Sequence, residues 1–160
     1  MFWRPSGRVA WVMSRSSMVG EFRDSSGRAG TLRVSRTKGH PMNAHEKLNY
    51  VEFAARDLPA TKSFFEKAFA WAFVDYGPEY TAFSGQGLDG GFFQASLCST
   101  PATGGALLVF YSTDLEATLA KVEKAGGCIV KPVFDFPGGR RFHFTEPSGN
   151  EFAVWSDQRV

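Results

Sequence analysis

Residues 53 to 68 recur 57 positions later. Phe53, Asp57, Leu58, Ala60, Thr61, Glu66, Lys67 and Ala68 reappear as Phe110, Asp114, Leu115, Ala117, Thr118, Glu123, Lys124 and Ala125. A repeat of this kind constrains the fold more than composition does, because each copy must be one supersecondary unit that completes its core against the other. Both copies open on a short apolar and aromatic run of strand length, "LNYVEFAA" and "ALLVFYS". Asp57 and Asp114 follow at N-cap positions, where a carboxylate can accept from the unpaired amides of a first helical turn. Pro59 is tolerated there because first-turn amides have no intrahelical acceptor. Leu58, Thr61, Phe64, Phe65 and Ala68 share one face of the first predicted helix; Leu115, Thr118, Leu119, Val122 and Ala125 share one face of the second. Gly126 and Gly127 end the second helix, whereas the first runs through "AFAW" with no glycine.

Three strand candidates follow each helix: "AFVDY", "YTAFS" and "GFFQASL", then "CIVKPVF", "RRFHFT" and "EFAVW". They are separated by the turn signals "GPE", "GQGLDG", "FPGG" and "EPSGN". The order is βαβββ twice, with module one at about 46–98 and module two at about 104–157. The expected class is α+β, two tandem modules forming a curved mixed sheet around a cleft. One face of each sheet covers its helix, and the two remaining faces are expected to wall a shared pocket.

A chain of 160 residues suits one such domain. Residues 1–41 differ in kind. They are rich in Arg, Ser and Gly and carry net +6, whereas the whole chain carries +2 and the remainder therefore −4. This extension is expected to be disordered or loosely attached, with the domain running from 42 to 160. The abrupt change at Met42 is read as a misplaced start; a transit peptide and a nucleic-acid arm are the competing readings. The acidic body offers no footprint for nucleic acid. No apolar run approaches the roughly 18 residues of a membrane span. Cys98 and Cys128 are too far apart for a CxxC motif and are read as small apolar residues in a reducing, cytoplasmic setting. Dinucleotide, P-loop, HExxH and GxSxG signatures are absent from the sequence.

Three stretches, "YVEFAARDLPATKSFFEKAFAW", "LLVFYSTDLEATLAKVEKAGG" and "FHFTEPSGNEFAVW", resemble the vicinal oxygen chelate superfamily of glyoxalase I, bleomycin- and fosfomycin-resistance proteins and extradiol dioxygenases. The resemblance covers about Lys47 to Ser156 and implies a homodimer. In metal-dependent members it implies a ligand on each opening strand, seven residues before the Asp of the helix start, and another on each closing strand. The opening positions here are Tyr50 and Leu107. On the second closing strand, four residues after the glycine of "PSGN", stands Ala153; the same count from Gly90 reaches Gln94. Leu and Ala cannot donate to a divalent ion and neutral Tyr rarely does, so no metal ligands are assigned and no cofactor is expected.

Strand alternation gives the cleft lining. Tyr50, Glu52, Leu107, Val109 and Tyr111 point inward from the opening strands, and Arg141, His143, Glu151, Ala153 and Trp155 from the closing hairpin. Glu52 and His143 are the acid–base candidates, each with a structural alternative as a salt-bridged carboxylate or a hydrogen-bonded strand histidine. Tyr50, Gln94, Tyr111, Arg141 and Trp155 are the ligand-binding candidates, with space-filling or solvated roles as their alternatives. The expected function is small-molecule binding in a metal-free cleft, with any reaction unassigned. The alternative is a metal-dependent lyase or isomerase resembling lactoylglutathione lyase, in which a divalent ion polarises vicinal oxygens.

Overall fold

The computed structural model describes residues 45–158 throughout and, ahead of them, three strands. These strands, β1 (Ala10–Ser14), β2 (Ser17–Arg23) and β3 (Ala29–Ser35), pair antiparallel in that order. Composition gives the expectation of a disordered or loosely attached extension there. The chain divides into compact units at Met1–Met42 and Asn43–Val160.

The second unit is the expected α+β repeat. Module one is β4 (Tyr50–Ala55), α1 (Leu58–Phe69), β5 (Phe73–Asp75), β6 (Tyr80–Gln86) and β7 (Leu88–Gln94). Module two is β8 (Leu108–Tyr111), α2 (Leu115–Lys124), β9 (Cys128–Phe136), β10 (Gly139–Thr145) and β11 (Glu151–Ser156). Each forms a mixed four-stranded sheet of the same topology, β4-β7-β6-β5 and β8-β11-β10-β9, with the first and last strands of each module parallel. Both helices start where the caps predicted: Asp57 Oδ1 accepts from Ala60 N at 2.8 Å, and Asp114 Oδ1 from Ala117 N at 2.9 Å. They end differently. Gly126 takes φ +97° after α2, but α1 closes through Ala70 at φ 55°, a left-handed conformation strained for alanine. Trp71 fixes that turn by stacking on Phe65 at 4.4 Å.

The two sheets stay separate and meet through the faces that cover the helices. Phe53 of β4 lies 5.2 Å from Phe152 of β11, Phe64 of α1 lies 5.7 Å from Phe144 of β10, and Phe69 stacks on Phe110 of β8 at 4.7 Å. Helix α1 thus packs between both sheets in one aromatic core, where each fully buried Phe contributes about 1.5–3 kcal/mol. The opposite face of each sheet, here called the outer face, is consequently turned away from the other module. Among the described residues, no cleft is enclosed between the two modules of one chain.

A buried polar latch holds this arrangement. Glu146, 2% exposed in the β10–β11 turn, accepts from Thr61 Oγ1 of α1 (2.7 Å), Ser148 N (2.8 Å), Asn150 N (3.1 Å) and Asn150 Nδ2 (2.7 Å). Asn150 Nδ2 also donates to Ala54 O at 2.8 Å, and the Asp57 amide donates to Ser148 Oγ at 3.1 Å. Gly149 takes φ +94°, and a Cβ there would crowd the Arg56 guanidinium. The "EPSGN" turn therefore ties module two to the start of α1 in module one.

Candidate functional site

The outer face of sheet one carries a hydrogen-bonded cluster. Tyr50 and Glu52 alternate with Val51 and Phe53 along β4, so the first pair faces outward. Glu52 lies across from Gly91 of β7, and Gly91 from Ala82 of β6. Tyr80, two residues before Ala82, lays its ring over Gly91; a Cβ at that glycine would collide with the Tyr80 hydroxyl. That hydroxyl donates to Glu52 Oε1 at 2.9 Å and lies 2.6 Å from the Tyr50 hydroxyl. Because Tyr80 has one hydrogen and gives it to Glu52, Tyr50 donates to Tyr80. Partial burial, then the hydrogen bonds to Tyr50 and Glu52, push the Tyr80 phenol far above its ordinary range. Burial likewise raises Tyr50, and the nearby Glu52 charge adds to the shift. Neither phenol is a nucleophile or base near neutral pH. Glu52 is the group here that can accept a donor or a proton from outside.

Sheet two presents different chemistry at equivalent positions. Val109 pairs with Ala153 and Ala153 with His143, as Glu52 does with Gly91 and Gly91 with Ala82. Two residues along, Arg141 pairs with Trp155 as Tyr80 pairs with Phe93. Val109 thus stands where sheet one has Glu52, and Arg141 where it has Tyr80. The Arg141 guanidinium lies over Phe134 and Phe136 at 5.0 and 5.3 Å from the ring centroids. Its Nε is buried without an acceptor, a condition that costs about 1–3 kcal/mol. Neighbouring Arg140 is instead paired with Glu116 at 2.6 Å. His143, 2% exposed, has Nδ1 2.9 Å from the Glu151 Oε1 acceptor, and its Nε2 is buried without a partner. Tyr111 donates to Asp157 Oδ1 at 2.8 Å and sits edge-on to Trp155 at 5.3 Å. Val109, Phe136, Gly138, Arg141 and Trp155 line an open depression of about 350 Å³.

Strand parity put Tyr50, Glu52, Tyr111, Arg141, His143 and Trp155 on the sheet faces opposite the helices, where they lie, but those are the outer faces and, among the described residues, wall no shared cleft between the two modules of one chain. The structure groups Tyr50 with Glu52 on sheet one, and Arg141, His143, Tyr111 and Trp155 on sheet two. Glu52 and His143 belong to separate clusters on separate sheets. Gln94 lies elsewhere: it pairs with Ala55 at the strand end, on the parity of core residue Phe92, and its amide donates to Arg56 O at 2.7 Å. The register shows why the count failed, since the residue equivalent to Ala153 is Gly91, three positions earlier. Sequence reasoning missed Tyr80. The paired glycines Gly90 and Gly91 inside a strand were the available signal, because such a gap admits a side chain from the next strand.

The four positions that the resemblance implies for metal ligands are then Tyr50, Gly91, Leu107 and Ala153. Three of them supply no donor atom, and the Tyr50 hydroxyl is engaged with Tyr80. These residues do not fit a divalent ion. Among the described residues there is no group of three or more His, Cys, Asp or Glu that could hold one. Among the same residues, no helix is long and apolar enough to cross a membrane.

Residues 47–154 match the family model of the Glyoxalase/Bleomycin resistance protein/Dioxygenase superfamily. Among solved structures, a glyoxalase-related enzyme from Fulvimarina pelagi aligns with TM-score 0.60 and 17% identity over 70% of this chain and 88% of that one. A genomically encoded fosfomycin resistance protein, FosX, from Listeria monocytogenes, solved as a point mutant with Mn(II) and 1S,2S-dihydroxypropylphosphonic acid, aligns with TM-score 0.59 and 16% identity over 70% and 90%. Lactoylglutathione lyase from Agrobacterium tumefaciens aligns with TM-score 0.53 and 18% identity over 71% and 96%. These likenesses are of fold. No curated protein matches the chain at a significant level.

Proposed function

We propose, from the premise that this chain belongs to the glyoxalase/bleomycin resistance protein/dioxygenase superfamily, that it binds a small molecule on the outer faces of its sheets without a metal ion. One observation carries this reading. Both outer faces bring aromatic and charged side chains together, Tyr50, Glu52 and Tyr80 on one and Arg141 and Trp155 on the other, and each presents exposed positions, Tyr50 on the first and Val109 and Tyr111 on the second. A cleft walled by both faces requires two copies of the chain, sheet one of each against sheet two of its partner, so the functional unit is a homodimer. Domain 42–160 carries this activity without the basic extension, and its unpaired Cys98 and Cys128 suit a cytoplasmic setting.

A thermal-shift screen of the full chain against a small-molecule library, with sedimentation, tests the reading. A ligand at 100 times its Kd adds about 2.7 kcal/mol of stability. A dimer and at least one ligand-dependent rise in Tm are expected. A monomer, or no shift across the library, overturns it. Metal analysis, together with turnover of the methylglyoxal–glutathione adduct, decides the metal question: stoichiometric divalent metal with turnover would replace this reading with a lyase like the Agrobacterium enzyme. A chain starting at Met42 is expected to fold and bind as the full chain does.

A further inference from the structure

We infer that the depression on sheet two binds the carboxylate of a small aromatic acid, with the anion on Arg141 and the ring against Trp155 and Val109. This deepens the reading above and rests on it for the openness of that face. The two modules supply the argument by their difference. On sheet one the outward donor, Tyr80, finds its acceptor within the chain, because the opening strand offers Glu52. On sheet two the equivalent donor is a guanidinium, and the equivalent opening-strand residue, Val109, has no acceptor to offer. Among the described residues no carboxylate pairs with Arg141 and its buried Nε has no acceptor. An anion from outside the chain would take the role that the Glu52 carboxylate plays on sheet one.

The remaining features define what carries that anion. Phe134 and Phe136 flank the guanidinium, so it is held in place before any ligand arrives. A lone guanidinium matches a carboxylate monoanion through two parallel N–H···O bonds, and no second cation lines the depression to favour a phosphate dianion. Trp155, Phe136 and Val109 form an apolar wall suited to a ring. A volume of about 350 Å³ lies near the lower end of the roughly 300–1,000 Å³ of ligand pockets, enough to seat one or two rings.

Calorimetric titration of the full chain with 2-naphthoate, 2-naphthylmethanol and acetate tests the inference. Naphthoate is expected to bind about 10- to 100-fold more tightly than the neutral alcohol, the range for a hydrogen bond to a charged group, and acetate more weakly than naphthoate. Arg141→Gln is expected to remove that preference, and Arg140→Gln to leave it intact. Val109→Glu, which places a carboxylate within the chain as sheet one does, is expected to compete with the ligand and weaken naphthoate to the level of the alcohol. Should Val109→Glu fail to fold, Arg141→Lys, which keeps the charge and loses the fork, is expected to give an intermediate loss. Equal affinity for naphthoate and the alcohol, or an Arg141→Gln protein that binds naphthoate as wild type does, overturns the inference. If naphthoate fails while another compound raises Tm, only this inference falls; if nothing raises Tm, the small-molecule reading falls with it.

Discussion

The hairpin turns of the two modules differ more than anything else in their scaffolds. In module one the β6–β7 turn is a single residue, Gly87, and Gln86 beside it is exposed. In module two the β10–β11 turn spans Glu146 to Asn150, and its Glu146, Ser148 and Asn150 are buried, with Glu146 and Asn150 bonded to the other module. The same asymmetry reaches the helices. Thr61 of α1 donates to Glu146 across the module boundary, whereas its repeat partner Thr118 donates back to Asp114 O within α2. One copy of the repeat supplies the dock and the other supplies the plug. A duplicated unit has thereby become a fixed pair in which the outer faces are free to diverge, one acidic and phenolic, the other cationic and apolar.

The largest expected effect strikes the plug. Glu146→Ala leaves buried amides of Ser148 and Asn150 without an acceptor and is expected to cost about 3–5 kcal/mol in urea unfolding. Gln86→Ala, in the equivalent turn of module one, is expected to stay within about 0.5 kcal/mol of wild type. Equal costs at the two turns would remove the latch from the account of how the modules are held.

Next comes the outer-face contrast. Tyr80→Phe deletes a satisfied donor and is expected to cost about 1 kcal/mol, whereas Arg141→Met deletes an unsatisfied one and is expected to be neutral or stabilising. The phenols also give a pH signature. With Tyr50 and Tyr80 both raised in the folded state, their contribution to stability is complete below the ordinary tyrosine value near 10 and declines as pH rises beyond it. Absorbance titration near 295 nm is expected to show three tyrosines that ionise late, Tyr50, Tyr80 and Tyr111, the last held up by its hydrogen bond to Asp157, and Tyr80→Phe to remove one of them.

Much of this was legible in the sequence and part of it was not, for identifiable reasons. Local rules found the repeat, both aspartate caps and the strand parity that sends Glu52, Arg141 and Trp155 outward, because each depends on neighbours a few residues away. The count reached Gln94 because it began at Gly90, a residue within β7, whereas the same count from the turn residue Gly87 reaches Gly91; which glycine is the turn is decided by the register of paired strands, which aligns Gly91 with Ala153. Tyr80 was missed because its contact with Glu52 runs diagonally over a glycine. No local signal states which faces of two modules will meet; bonds such as Asn150 to Ala54, 96 positions apart, decide that.

The helix ends offer a smaller test of the repeat. Gly126 accepts its left-handed conformation without a steric cost, and Ala70 does not. Ala70→Gly is expected to stabilise the protein by about 0.5–1 kcal/mol in the same urea assay, relief of strain exceeding the added chain entropy. A loss instead would show that the Trp71 stack, rather than the backbone, governs this turn.

The smallest effect lies in the exposed helix-to-sheet ion pairs, one in each module among the described residues and at non-equivalent positions of the repeat: Lys62 Nζ with Asp75 at 2.7 Å, and Arg140 with Glu116 at 2.6 Å. The Lys62 hydrogen bond holds the Asp75 carboxyl below the usual carboxylate range. A carboxyl lowered on folding contributes its stability above the unfolded value near 3.9, and that contribution disappears as pH falls through the lower folded value. Asp75 is 57% exposed, so solvent screening limits the pair to about 0–1 kcal/mol. Asp75→Asn should therefore differ slightly from wild type at pH 7 in low salt, and the difference should shrink both in strong acid and at about 1 M salt. A gap that persists in acid would mean that the lysine charge is not what the aspartate contributes through.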